Sequence, residues 1–235
     1  MDKEWMKQIS WVGEEWVQGP VRGVVLSFHG LGGGHKFEPS TIELEWGRAG
    51  ALVVYPYCGP WSWMNRQARG LVDQLVDAVY QCYGLADDLP LISTGGSMGG
   101  LGSLLYTRYA KRPIAACLAF CPVCDLRYHF NERPDLPATI RCAFMGYKEN
   151  LPTLLAEHSP ICQVAAMPDI PYLFIHGDKD NAVAKAHHSD PMVAAMRARK
   201  MNVRYVEVPG MGHGNCMPMS ANQEQVDFIP PLLKK

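Results

Sequence analysis

The chain has 235 residues, 48% apolar and 19% charged, with a formal net charge of −1. That length supports a well-buried core, and the charge balance excludes an electrostatic footprint for nucleic acid or an anionic membrane. No apolar run approaches the roughly 18 residues of a membrane span. The acidic, tryptophan-rich start MDKEWMKQISWVGEEW does not read as a signal peptide. The 8 cysteines are therefore expected to be reduced thiols and the protein cytoplasmic.

In chain order, ISWVGEEWVQGP (9–20) alternates apolar and polar residues and predicts an edge hairpin. VRGVVLSF (21–28) is the first of six apolar runs that predict strands covered on both faces. ALVVYPY (51–57) is the second, and CGPWSWMN (58–65) follows it. Trp61, Trp63 and Met64 in that loop suit an acyl or aromatic pocket, and suit equally a cap over the core beneath the next helix. RQARGLVDQLVDAVYQCY (66–83) sets Leu71, Leu75, Val76 and Val79 on one helical stripe. PLISTG (90–95) predicts a strand, residues 99–111 a helix, and IAACLAF (114–120) a strand. Residues 122–168 are proline-punctuated and too long for a simple loop, which predicts a small helical insertion over the sheet. PYLFIHG (171–177), a helix over 191–201, VRYVEVPG (203–210) and a helix over 222–233 complete the alternation. The pattern predicts one α/β domain over residues 1–235 with a mostly parallel sheet.

Gly95-Gly96-Ser97-Met98-Gly99 matches G-x-S-x-G between a predicted strand and a predicted helix. The flanking glycines avoid clashes at a sharp turn, and Met98 N–H falls at a helix N-terminus. A phosphate loop is the weaker reading, since no Gly-Lys-Ser/Thr follows. A serine needs a base. Asp178 and Asp180 lie just past one later strand and His213 just past another, the order Ser, acid, His that this architecture uses.

The chain resembles the α/β-hydrolase superfamily from about residue 21 onward, and within it the prolyl oligopeptidase-like branch and related small esterases. The marks are FHGLGGG (28–34), GGSMGG (95–100), HSP (158–160), HGDKDNAV (176–183) and GMGHG (210–214). The resemblance implies a Ser97–His213–Asp180 triad, with Asp178 as the runner-up acid. It places the second oxyanion donor, beside Met98 N–H, at Leu31 N–H, with His29 propping that loop. It requires no cofactor or metal.

Tyr128, His129, Phe130, Phe144 and Tyr147 of the insertion face either the pocket or the insertion's own core, and the second reading is favoured. Tyr128 and Phe144 join Trp61 and Trp63 as candidate substrate contacts. Cys121 and Cys124 form a lone C-x-x-C pair and read as buried structural thiols. His187 and His188 are adjacent and so point apart, and Cys216 is expected to border the site or simply to pack. The expected activity is cleavage of small acyl or aryl esters. A serine exopeptidase or acyl-peptide hydrolase acting on short peptides is the alternative, disfavoured because only about twenty residues precede the core. A silent binding protein on the same fold is disfavoured by the complete Ser, Asp, His set.

Overall fold

The computed structural model describes residues 2–34, 38–214 and 217–234. Helix α1 (Lys3–Ile9) leads into β1 (Ser10–Val12), and β2 (Gly23–Phe28) follows. Next come α2 (Thr41–Arg48), β3 (Ala51–Pro56), α3 (Arg66–Cys82), β4 (Leu91–Gly96), α4 (Met98–Tyr109) and β5 (Ile114–Phe120). Four short helices then occupy the insertion: α5 (Leu126–His129), α6 (Leu136–Ala143), α7 (Leu151–Glu157) and α8 (Pro160–Gln163). Strand β6 (Tyr172–Gly177), α9 (Ser189–Ala198), β7 (Val203–Val208) and α10 (Met219–Phe228) complete the fold.

The seven strands lie in the order β1-β3-β2-β4-β5-β6-β7 and are parallel except for β1, which runs antiparallel to β3. Strand order reverses between β2 and β4, so a crevice opens at their carboxyl ends, where open α/β sheets carry their sites. Side chains alternate across the sheet. Val24, Leu26 and Phe28 join a core with α1, α3, α4 and the insertion, while Val25, Val53 and Ile92 face α2 and α10. Cys117, Ala119, Tyr172 and Phe174 meet Leu104 of α4 and Met192 and Met196 of α9. Helices thus cover both faces, which accounts for the continuous apolar strands.

The predicted edge hairpin over 9–20 is corrected. Only Ser10–Val12 pairs, with β3, and a 3-10 turn follows at Glu14–Trp16. Trp11 and Trp16 stack with ring centroids 4.2 Å apart, and a Cβ at Gly13 would strike both rings. Indole packing closes this turn instead of a second strand. Helix α2 was not expected from periodicity, although Ser40 and Glu43 form a capping box at its start. Among the described residues, no helix is long and apolar enough to cross a membrane.

Candidate active site

Ser97 stands between β4 and α4 with φ 58° and ψ −122°, a left-handed conformation that a serine adopts only under constraint. The constraint comes from both sides. Ser97 N–H donates to Phe120 O at 2.9 Å, and Ser97 O accepts Leu101 N–H at 3.1 Å and Val123 N–H at 3.2 Å. A Cβ at Gly95 would overlap Gly99 and stand 2.8 Å from Phe28 O. A Cβ at Gly99 would overlap Phe28 O and stand 2.8 Å from His29 O. The glycines let the turn sit against β2, as the pentapeptide predicts.

Met98 opens α4, so its N–H belongs to the turn a helix leaves without internal acceptors. The loop after β2 passes beside it: a Cβ on Gly30 would lie 4.0 Å from Ser97 Cβ. That loop is anchored by Gly32 N–H on Pro60 O at 2.7 Å and by Gly33 N–H on Gly30 O at 3.1 Å. It also folds over His29, whose Nδ1 lies 2.8 Å from Gly30 O. Burial pushes the His29 pKa down, which keeps the ring neutral and suits it to propping the loop that carries Leu31.

The loop after β6 brings in Asp180, and the loop after β7 brings in His213. His213 Nδ1–H donates to Asp180 Oδ2 at 2.7 Å, leaving Nε2 with its lone pair. Asp180 Oδ1 accepts Ala182 N–H and Val183 N–H, each at 2.9 Å. Burial alone would raise the Asp180 pKa. The bonds from His176, His213 and Val183 outweigh it and hold the carboxyl well below the usual range. Asp178 is used differently: its Oδ1 accepts Gly210 N–H at 2.6 Å, pinning the turn that leads to His213. We expect Asp180→Asn to lower kcat about 10⁴-fold and Asp178→Asn less than tenfold, read by steady-state kinetics on folded variants. Equal losses would overturn the assignment of the acid.

Phe120 and Cys121 at the end of β5 connect the two halves. Phe120 O holds Ser97, and Cys121 Sγ, an Asp180 oxygen and a His213 nitrogen lie within 4.8 Å of one another. Burial pushes the Cys121 thiol up to about 12, so it stays protonated. Among the described residues every cysteine is a free thiol, and Cys121 and Cys124 are buried. Cys216 lies outside the described residues. A cavity of about 310 Å³ adjoins the elbow, lined in part by Gly96, Phe120, Tyr55, Trp46 and Met217.

The proposed substrate contacts divide. Trp63 is 1% exposed and donates from Nε1 to Thr139 Oγ1 at 3.2 Å, and Phe144 packs on His158 with centroids 4.5 Å apart. Both belong to the core, which corrects their assignment as pocket residues. Trp63 and Met64 both have φ 47°. Trp61 remains 41% exposed, next to Pro60, which anchors the Leu31 loop. Tyr128 is 39% exposed and stacks on His187 at 3.9 Å. The HSP segment is structural: Ser159 Oγ donates to Leu155 O and accepts Leu126 N–H, while His158 Nδ1 bonds Leu154 O.

Sequence reading missed Glu132, the centre of a buried cluster. Its Oε2 lies 2.6 Å from His129 Nδ1 and 2.9 Å from His188 Nε2, and its Oε1 accepts Ala184 N–H at 2.8 Å. Three such side chains would suit a cation. The tautomer of His188 argues otherwise: Nδ1 accepts Cys124 N–H and Asp125 N–H at 3.1 and 3.2 Å, so the proton is on Nε2 and points at Glu132. Glu132 is thus a clamp tying the insertion to the loop of Asp180. Burial would raise its pKa, but His129, His188 and Ala184 outweigh this and hold it far below 4.5. A carboxyl depressed in this way stabilises the fold above its unfolded value, and that contribution fades as pH falls below about 4.5. Glu132→Gln strands a donor, because its amide N–H must face either His188 Nε2–H or Ala184 N–H. It should cost about 3 kcal/mol at pH 7 in urea denaturation, with the gap from wild type narrowing in acid. A pH-independent gap would contradict the clamp.

Residues 70–230 match the prolyl oligopeptidase family. No curated protein matches the sequence. Among solved structures, a Pyrococcus horikoshii acylaminoacyl peptidase superposes with TM-score 0.79 and 13% identity, over 96% of this chain and 39% of that one. A Mycobacterium tuberculosis puromycin-hydrolyzing peptidase gives 0.69 and 20%, over 92% and 35%. A truncated carbohydrate esterase from gut microbiota gives 0.69 and 17%, over 95% and 89%. The chain therefore spans little more than a third of the two peptidases' lengths. With a matched segment covering more than half its length, the chain belongs to the prolyl oligopeptidase family and with it to the serine hydrolases.

Proposed function

We propose that the protein cleaves carboxylic esters of small acyl or aryl groups through a covalent acyl-enzyme. The observation that carries this reading is the 2.7 Å bond from His213 to Asp180, linked to the strained Ser97 turn through Phe120 and Cys121 at the end of β5. Ser97 Oγ attacks the ester carbonyl while His213 Nε2 takes its proton, and Asp180 stabilises the imidazolium. Leu31 and Met98 N–H groups receive the developing oxyanion. His213 then returns the proton to the leaving alcohol, and water, deprotonated by the same nitrogen, releases the acid. Trp61 and Tyr128, the two exposed aromatic candidates, are assigned to contact the substrate.

The family match favours a second reading, hydrolysis of short peptides. An exopeptidase that takes a free amino terminus needs an acceptor for the substrate's ammonium group, whereas an acyl-peptide hydrolase takes a neutral, acylated one. The carboxylates of Asp125, Glu132 and Asp178 at this sheet edge are each already held, by Arg127, by two histidines, and by Gly210. That weighs against those three carboxylates as the acceptor of a free amine, and the substrate panel separates esters from peptides. The test is a panel of p-nitrophenyl esters of graded chain length, feruloyl esters and aminoacyl nitroanilides, with fluorophosphonate labelling mapped by mass spectrometry. Esters should turn over fastest and the label should sit on Ser97. Faster nitroanilide turnover would favour the peptidase, and labelling elsewhere would refute the nucleophile.

A further inference from the structure

Asp180 is held by more than the one histidine a triad requires. Besides His213 at 2.7 Å, its Oδ2 faces His176 Nε2 at 3.2 Å. His176 comes from β6 and is completely buried. The same Nε2 lies 2.9 Å from Val183 O, and Nδ1 lies 2.7 Å from Ser189 Oγ. Two acceptors on one side require the proton on Nε2, and the neutral ring then accepts the Ser189 hydroxyl at Nδ1. The Nε2–H therefore bonds the carbonyl of the acid's own loop and lies 3.2 Å from the carboxylate oxygen that serves His213, where its dipole acts on that oxygen.

We propose that His176 is a positioning residue for Asp180: it fixes the rotation of the carboxylate and draws charge from the oxygen that faces His213. The inference rests on the Ser97–His213–Asp180 reading. Its sign is definite. A carboxylate that loses a donor presents more negative charge to the imidazole beside it and favours the protonated ring. The active, neutral base then appears only at higher pH. Among the described residues, the other titratable groups around the pair are Cys121 from the end of β5, and Asp178 and Lys179 from the acid's own loop. The Cys121 thiol stays uncharged, and Asp178 is turned to Gly210 and Lys179.

The test compares His176→Leu, His176→Asn and His176→Gln. Leucine has no donor, and asparagine is too short to bring one to Oδ2. Glutamine reaches the position of Nε2 with an N–H. The readouts are kcat/KM against pH on the fastest ester, the pH titration of the His213 ring by NMR, and a thermal melt. We expect the acid limb and the ring titration to move up by about one pH unit in the Leu and Asn variants. Their kcat should fall about tenfold, and His176→Gln should stay within a few tenths of a pH unit of wild type. A purely structural histidine would lower the melting temperature and leave both pH readouts in place, and that outcome overturns the proposal. Equal shifts in the Gln and Asn variants overturn it as well. If His176→Leu fails to fold, the Asn and Gln pair decides. NMR needs no substrate, so a moving titration in a protein that cleaves nothing would refute the hydrolytic reading alone. Turnover through Ser97 with unmoved titrations would refute this inference alone.

Discussion

Ser97→Ala is expected to lower kcat on the best ester by about 10⁵- to 10⁶-fold while leaving the fold intact. The substitution removes one oxygen and keeps the Cβ, so the backbone at φ 58° is asked for nothing new. Stability by denaturant melt should change by no more than about 0.5 kcal/mol. On the proposed mechanism, what remains after the oxygen is lost is binding plus the N–H donors assigned to Leu31 and Met98, together worth about 10³- to 10⁴-fold over water. The variant should therefore bind substrate with nearly unchanged affinity but take no fluorophosphonate label. Retention of more than about 1% of the wild-type kcat would show that another group is the nucleophile.

Gly99→Ala is expected to cost about 4 kcal/mol or more, a large share of a total stability of about 5–15 kcal/mol. Helix propensity alone predicts the opposite sign, a gain of about 1 kcal/mol for alanine over glycine in a helix. The clash decides. The new methyl would overlap Phe28 O and stand 2.7 Å from Phe28 C, both backbone atoms of a central strand. Relief requires β2 and α4 to separate at the point where the elbow and the Leu31 loop meet. Gly70, in α3, is the control, with nothing within 4 Å of its missing Cβ. Gly70→Ala should stabilise by about 0.5–1 kcal/mol in the same urea titration. Similar behaviour of the two variants would mean that the close approach of α4 to β2 does not exist in solution.

The central strands were legible because both their faces are buried, so the apolar runs over 51–57, 90–95, 114–120 and 171–177 each contain a strand. The pairing of Asp180 with His213 and the strained turn at Ser97 were legible because all three residues follow strand ends. Trp63 and Phe144 were not: an aromatic residue in a loop reads alike whether it lines a pocket or fills a core, and only its neighbours decide. Trp63 found Thr139, 76 residues further on, and Phe144 found His158 across the insertion. Glu132 and His176 escaped for a related reason. Their roles depend on backbone N–H and C=O groups of Ala184 and Val183, which no side-chain pattern announces.

The two left-handed residues before α3 bear on how this sequence can change. At Trp63 the backbone asks for glycine or asparagine, while the surroundings ask for a large indole with a donor. Moving to glycine would recover roughly 1–3 kcal/mol of backbone strain. It would also forfeit roughly 3–5 kcal/mol in the void left behind. Moving to a bulky branched residue fails on both counts. Met64 carries the same dihedral and is equally enclosed, so a repair at one position leaves its neighbour strained. Single steps away from this dipeptide lead downhill in stability, and an alternative is reached only by changing loop and insertion together. Drifting lineages should therefore exchange residues 58–65 as a block along with their partners around Thr139.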